Sequence, residues 1–182
     1  MTNEPPEYCP HCGGELRAVD PPTVFRCSEC EQPTFYNPTP SARVAVVDGE
    51  SLLLCAVGVP GVEDTWETPG GRLEADENPD VAAARELQEE TGLRVDPEQL
   101  TLFDVRSFQS IPDRYKVRLC YAVGRDATAG TLRAGTEPDS VKFWSPERFV
   151  SEEQILSDRQ PAETRALSWW LENARAALDG TE

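Results

Sequence analysis

Five charged residues near the middle of the chain have the types and spacing to handle a divalent cation: Glu77, then Arg85-Glu86, then Glu89-Glu90. Asn78 is a good N-cap, Pro79 suits the first helical position, and Gly92 after Thr91 supplies a left-handed stop, so a helix is predicted over 79–91. At about 100° per residue, Glu86, Glu89 and Glu90 fall within roughly a third of the circumference, with Val81, Ala84, Leu87 and Thr91 towards the other side. Glu86 and Glu90 are like charges four apart, which disfavours an isolated helix. Cations would turn that repulsion into coordination. Carboxylate oxygens suit Mg²⁺, Mn²⁺ or Ca²⁺, and Mg²⁺ is commonly held by one or two carboxylates together with substrate phosphates and water. The competing reading is an acidic helix face turned to solvent, to which an acidic chain lends weight. Gly70-Gly71 weighs against it, because a loop without Cβ atoms lets backbone carbonyls approach a metal or phosphate. Arg85, within reach of Glu77 or Glu89, would hold the carboxylates in place.

A second constellation lies near the N-terminus: Cys9-Pro10-His11-Cys12, fourteen residues, then Cys27-Ser28-Glu29-Cys30. Two such pairs read as a tetrahedral structural Zn²⁺ site of four thiolates, with Gly13-Gly14 turning the first knuckle. Glu31 stands where a glycine often closes the second knuckle. Disulfides and inert buried thiols are the alternatives. The opening Met1-Thr2-Asn3-Glu4-Pro5-Pro6 has no apolar character, so a reducing, cytoplasmic compartment is expected and thiols are available to metal. A ribbon of about thirty residues buries little core, and zinc would supply its folding free energy. His11 is expected to sit exposed on the knuckle. Cys55 and Cys120 fall in apolar runs and read as small buried hydrophobes.

The elements that must position these groups follow from patterning. The segment 31–40 is rich in proline and turn residues, giving an N-terminal module over 1–36 and one larger domain over 37–182. Ala42–Val47 and Leu52–Val57 read as strands joined around Asp48-Gly49. Tyr115, Val117, Leu119, Tyr121 and Val123 alternate as a strand with one buried face. Leu167, Leu171, Ala174 and Leu178 mark a closing helix within 162–178. Trp169 and Trp170 read as packing, and Phe25, Phe35 and Tyr36 as residues that pack the ribbon against the domain behind it rather than form an exposed binding face. Strands, the acidic helix, more strands and a last helix predict an α/β fold with a mixed sheet between helices.

Residues 71–93, running from Gly71 through Glu77 to Arg85-Glu86-Leu87-Gln88-Glu89-Glu90-Thr91-Gly92-Leu93, resemble the signature of the Nudix hydrolases at every defining position. The resemblance implies an α/β/α sandwich and metal-dependent hydrolysis of the pyrophosphate linkage in a nucleoside diphosphate derivative. It assigns Mg²⁺ or Mn²⁺ to Glu86, Glu89 and Glu90 with the Gly70 carbonyl as a further ligand, and makes Arg85 and Glu77 the brace between loop and helix. A further acidic residue before an aromatic strand is matched by Glu137 ahead of Phe143-Trp144, with Asp139 as competitor. Glu89 or Glu137 would serve as general base. Divalent ions neutralise the linkage and acidify a bound water, and no Ser or Cys beside a base suggests a covalent route. The zinc ribbon ahead of this motif is similar to that of the NADH pyrophosphatases. Ser107-Phe108-Gln109-Ser110-Ile111-Pro112 shares only a few letters with the signature those enzymes carry after the box, so the implied substrates extend to ADP-ribose and related nucleotides.

Formal net charge is −16 with a sequence pI near 4.4, which argues against nucleic acid or anionic membrane as a partner. The ribbon carries only Arg17 and Arg26 as basic residues, so it is expected to brace the catalytic domain or help it form a homodimer rather than bind nucleic acid. Lys116 and Lys142 are the only lysines beside fifteen arginines, a composition that predicts a halophilic protein whose self-repulsion concentrated cations screen. Two other functions fit parts of the pattern: a nucleotide-sensing regulator without turnover, which a lost box carboxylate would signal, and a zinc-ribbon adaptor for nucleic acid or protein, which a basic or aromatic ribbon face would signal.

Overall fold

A computed structural model of the chain describes residues 4–21, 23–57, 64–157 and 165–180. They form two compact units, one of 1–39 with 107–117 and the other of 40–106 with 118–182. The first unit therefore takes in a second stretch of chain, 107–117, in addition to the N-terminal module read from the sequence.

In the first unit, β1 (Leu16–Asp20), β2 (Val24–Cys27) and β3 (Pro33–Phe35) make an antiparallel three-stranded sheet in that order. Tyr36 is buried, donates its hydroxyl to the Asp113 carbonyl at 2.7 Å and meets Tyr115 edge-on. Phe35 is exposed, so of the aromatic residues read as packing, it does not pack.

One mixed sheet is made of β4 (Thr39–Asp48), β5 (Ser51–Ala56), β6 (Thr65–Glu67), β7 (Gly70–Arg72), β9 (Thr101–Ile111), β10 (Arg114–Gly124), β12 (Val141–Trp144) and β13 (Ile155–Leu156), mostly residues of the second unit. Its main order is β13-β6-β5-β4-β10-β9; β12 pairs antiparallel with β5, and β7 with β4. β8 (Leu93–Arg94) and β11 (Ala129–Gly130) form a separate two-stranded pair. The β4–β5 hairpin turns at Gly49, whose φ of +54° only glycine adopts without strain, with Asp48 opposite Ser51.

Because both sheet faces are covered, neighbouring residues on one strand are buried in different layers. Val44, Val46, Leu53, Tyr121 and Val123 pack with Ala82, Ala83 and Leu87 of α1 (Pro79–Thr91). Ala45, Val47, Leu52, Leu54, Cys120 and Ala122 pack with Phe149 of α2 (Pro146–Ser151) and with Trp170, Leu171 and Ala174 of α3 (Leu167–Asp179). The result is the α/β/α sandwich expected, but β10 is buried on both sides from Arg118 onwards rather than on one. Trp169 and Trp170 do serve as packing: both pack in the α3 layer, with Phe103 against them.

α1 spans the range predicted for it. Asn78 holds the N-cap position in extended backbone, but its side chain makes no capping bond; Gly92 ends the helix at φ +71°. The buried stripe is rotated from the expected one: Val81 is 42% exposed, while Ala82, Ala83, Leu87, Glu90 and Thr91 are buried. Small alanines, not Val81, let the helix lie close on the sheet.

Candidate functional site

The strand ahead of α1 carries the two glycines, and each is required by a close approach. A Cβ on Gly70, at φ +142°, would collide with the Ala42 carbonyl oxygen, so β7 can pair with β4 only as glycine. A Cβ on Gly71 would strike the Glu86 carboxylate, its Cδ lying 2.5 Å away. The first glycine of the motif thus makes room for the Glu86 side chain.

Arg85 fastens the loop to the helix. Its Nε and Nη2 donate to the two oxygens of Glu77 at 2.8 and 3.0 Å, Nη2 also reaches the Arg72 carbonyl at 3.1 Å, and Nη1 donates to Glu86 at 2.9 Å and Glu89 at 3.1 Å. Arg85 holds the Glu77 carboxyl below its ordinary range, helped by the Glu74 N–H. Burial pushes Glu86 up, against the pull of Arg85.

The three helical glutamates occupy unlike surroundings. Side-chain exposure is 14% for Glu86 and 59% for Glu89, whereas Glu90 as a residue is 8% exposed. Burial pushes the Glu90 carboxyl up to about 7, opposed by Arg43 and by the Gly70 N–H, which donates to its Oε2 at 3.0 Å. Arg43 on β4 in turn donates to Glu67 at 2.8 Å and to the Thr68 carbonyl. Cys55 faces the same oxygen of Glu90 at 3.7 Å, its thiol pushed up by burial and so kept protonated as a donor. Sequence reasoning missed this buried set of Arg43, Glu67 and Cys55. The signal for it was a guanidinium inside the apolar run 42–47, since buried arginines are rarely left unpaired.

Glu137 arrives on a segment held against the last turn of α1. The Gly135 N–H donates to the Glu90 carbonyl at 2.8 Å, and a Cβ on Gly135 would collide with the Glu89 carbonyl oxygen. Glu86, Glu89, Glu90 and Glu137 line one cleft of about 730 Å³ together with Arg94 and Arg133; Asp139 does not line it. The structure therefore brings the four expected carboxylates to one cleft. The helical oxygens are not drawn tightly together. Among the described residues, the only set of three or more His, Cys, Asp or Glu ligand atoms lying within 4.8 Å of one another is that of the four cysteines.

That set lies in the first unit. Cys9 Sγ is 3.6 Å from Cys30 Sγ and Cys12 Sγ 3.5 Å from Cys27 Sγ, too long for disulfides and close to the roughly 3.8 Å edge of a tetrahedral Zn–S₄ centre. Backbone N–H groups aim at the sulfurs as in a metal knuckle: His11 at Cys9, and Glu29 and Cys30 at Cys27, all at 3.4 Å. The Cys30 and Glu29 amides lower the Cys27 thiol to about 7, favouring the thiolate a metal needs. His11 is exposed and outside the set. A groove of about 650 Å³ in the same unit, between 4–8 and 112–114, has Arg114 as its one basic lining residue, and that side chain is already held by Glu4.

No helix among the described residues is long and apolar enough to cross a membrane. Residues 37–171 match the family model of the NUDIX domain. The chain is similar to the NAD-capped RNA hydrolase NudC of Pseudomonas aeruginosa, 33% identical over 90 residues, covering 48% of this chain and 31% of that protein. It is also similar to a MutT-like protein of Streptomyces ambofaciens, 38% identical over 73 residues, 40% of this chain and 45% of that one. This chain thus spans less than half the length of both. Among solved structures, a NUDIX hydrolase from Nitrosomonas europaea superposes with a TM-score of 0.69 at 21% identity, covering 96% of this chain and 94% of that one, which shows the shared fold. With three quarters of its length matched by the family model and the same architecture around the motif helix, the chain belongs to the NUDIX domain family.

Proposed function

We propose that this protein hydrolyses the pyrophosphate linkage of a nucleoside diphosphate derivative such as ADP-ribose or NADH, with divalent cations held at the glutamate cleft. The observation that carries this reading is the cleft itself, lined by Glu86, Glu89 and Glu90 of one helix together with a fourth glutamate, Glu137, on a separate segment. Hard oxygen donors fit Mg²⁺ or Mn²⁺, and their spread fits ions that share coordination with water and substrate phosphates rather than a closed protein cage. Glu86, Glu89, Glu90 and the Gly70 carbonyl would hold them. When bound, such ions neutralise phosphate oxygens and acidify water.

The remaining steps belong to the chain. Arg85 and Glu77 keep the loop and helix in one arrangement, so the carboxylates need not reorganise as the substrate arrives. Gly71 leaves space for Glu86. Glu90, sealed by Arg43, Gly70 and Cys55, is a fixed anchor. Glu137 carries no ion pair among the described residues, which leaves its carboxylate available to take the proton from the attacking water. The four cysteines fit structural Zn²⁺, and thiolates kept for a metal suit a reducing, cytoplasmic setting. A small nucleotide suits a cleft in so acidic a molecule better than a polyanion; NAD-capped RNA, which the name of the Pseudomonas relative specifies, is the substrate to set against it.

The test is a hydrolysis screen with and without Mg²⁺ over ADP-ribose, NADH, nucleoside triphosphates, nucleotide sugars and NAD-capped RNA, at low and multimolar KCl, with products separated by chromatography. Cation-dependent release of a nucleoside monophosphate is expected, strongest at high salt. Glu89→Gln and Glu90→Gln should stay folded and lose most turnover. Full activity in both, or no hydrolysis of any substrate, overturns the reading. A nucleotide bound tightly without turnover would point to a sensing protein instead.

A further inference from the structure

With 33 acidic and 17 basic residues, this molecule has a carboxylate to offer every guanidinium, and many take one. Arg43, Arg85, Arg114, Arg148, Arg165 and Arg175 each sit within ion-pair distance of a Glu or Asp. Arg94 and Arg133 do not. Among the described residues, neither side chain makes an ion pair or hydrogen bond. Both line the cleft that holds the four glutamates.

Their stems start from backbone tied to the motif helix. The Arg133 N–H donates to the Thr91 carbonyl at 2.9 Å, and a Cβ on Gly92 would lie 3.0 Å from Arg133 Cγ, so the side chain crosses the helix end where only glycine leaves room. Arg94 sits on β8 opposite Ala129 of β11, and a Cβ on the next residue of β11, Gly130, would come within 2.5 Å of the Gly92 carbonyl oxygen. Two arginine stems are thus anchored at the C-terminal end of α1, in the lining of the cleft that Glu89 and Glu90 share.

Resting on the hydrolase reading above, we propose that Arg94 and Arg133 bind a substrate phosphate directly. The cleft then divides the pyrophosphate between a half served by cations at the glutamates and a half served by guanidinium groups. A planar guanidinium matches two phosphate oxygens at once, and one that holds no carboxylate in the free protein gives up no ion pair on binding. Arg133 has another explanation to exclude. The last turn of α1 has no basic residue of its own, and a cation there also complements the helix dipole. That role would register in stability alone.

The experiment uses the full zinc-loaded chain and three variants, Arg94→Ala, Arg133→Ala and Arg133→Lys. Inorganic pyrophosphate is titrated calorimetrically in Mg²⁺ buffer, and KM and kcat are measured on the best nucleotide substrate. Each alanine variant is expected to weaken pyrophosphate binding and raise KM about tenfold, with kcat falling less and thermal midpoints nearly unmoved, and lysine is expected to restore part of the loss. Pyrophosphate affinity within twofold of the parent in both alanine variants overturns the proposal. A lowered midpoint with unchanged affinity does so as well, assigning the residues to stability. Since pyrophosphate binding is read without turnover, a parent that binds it but cleaves no nucleotide would sink the hydrolase reading while leaving this test intact; a parent that does not bind it sinks the arginine pair.

Discussion

The cysteine cluster of the first unit and the glutamate cleft of the second both gather residue types that can ligate cations, yet their donors are arranged in opposite ways. Four soft sulfurs stand within 4.8 Å of one another, enough for a complete tetrahedral set, with backbone amides pointing at two of them. The glutamates are spaced along a helix, Glu86 and Glu89 tied to Arg85, and line an open cleft of about 730 Å³. A closed donor set stabilises a fold; an open one leaves coordination positions for substrate and water. The two sites should therefore fail differently when disturbed.

The largest contrast is expected from the cysteines. Cys9→Ser or removal of zinc by a chelator should unfold the first unit, because structural zinc contributes on the order of 10 kcal/mol to modules this small. Zinc content and thermal unfolding of the full chain check this, and an unchanged midpoint after complete zinc loss would erase the distinction between the sites. Next comes Gly71→Ala. The added methyl must displace the Glu86 carboxylate, and a shift of about 1 Å in a catalytic group can cost roughly a hundredfold in kcat. Its melting curve should stay close to the parent, the reverse of the cysteine variant. Steady-state kinetics with a parallel melt decide it.

Much of this was legible in the sequence because the informative residues are local. Asn78-Pro79 and Gly92 bracket α1 as printed in the chain, and C-x-x-C pairs gather their own sulfurs. What escaped depends on partners far apart in sequence. Arg43 looks like an interruption of a strand until the fold sets Glu67 and Glu90 against it. Helical periodicity put Val81 in the core, whereas the sheet accepts Ala82 and Ala83, because the approach of backbone to backbone sets how much volume fits. The same approach takes Glu90 out of water, which a wheel of equal glutamates cannot reveal.

Glu90 offers a sharper test of the open site. Its carboxyl is raised from 4.5 to about 7 by burial, facing Arg43, the Gly70 amide, Glu67, Glu86 and Cys55. A carboxyl raised in the folded state contributes stability fully present below 4.5 and lost as pH rises through about 7. Without divalent cations, the second unit should therefore lose up to about 3 kcal/mol between those limits. Mg²⁺ should offset part of this, and Glu90→Gln should flatten it. Thermal melts from pH 4.5 to 8.5, with EDTA or with Mg²⁺ and with the Gln variant alongside, give the answer; a parent whose profile matches Glu90→Gln throughout would mean the carboxylate is not strained by burial.

The smallest effect lies in the second zinc knuckle. Gly13 turns the first knuckle at φ +77°, the left-handed region natural to glycine, but Glu31 occupies the equivalent region of the second at φ +58°. For a residue with a Cβ that conformation costs about 1 kcal/mol or a little more. Local bonding holds it there: Arg26 Nη1 donates to the Glu31 carbonyl at 2.9 Å, and Cys27 N–H to the Gln32 carbonyl at 3.0 Å. Glu31→Gly should relieve the strain, less the extra freedom glycine gives the unfolded chain, for a net gain of roughly 0.5 kcal/mol. Glu31→Ala separates this from the loss of a negative charge, since it removes the carboxylate and keeps the Cβ. A gain in Gly but not Ala, read as a higher unfolding midpoint or slower zinc release, assigns the effect to backbone; an equal gain in both assigns it to charge and removes strain from the account of this knuckle.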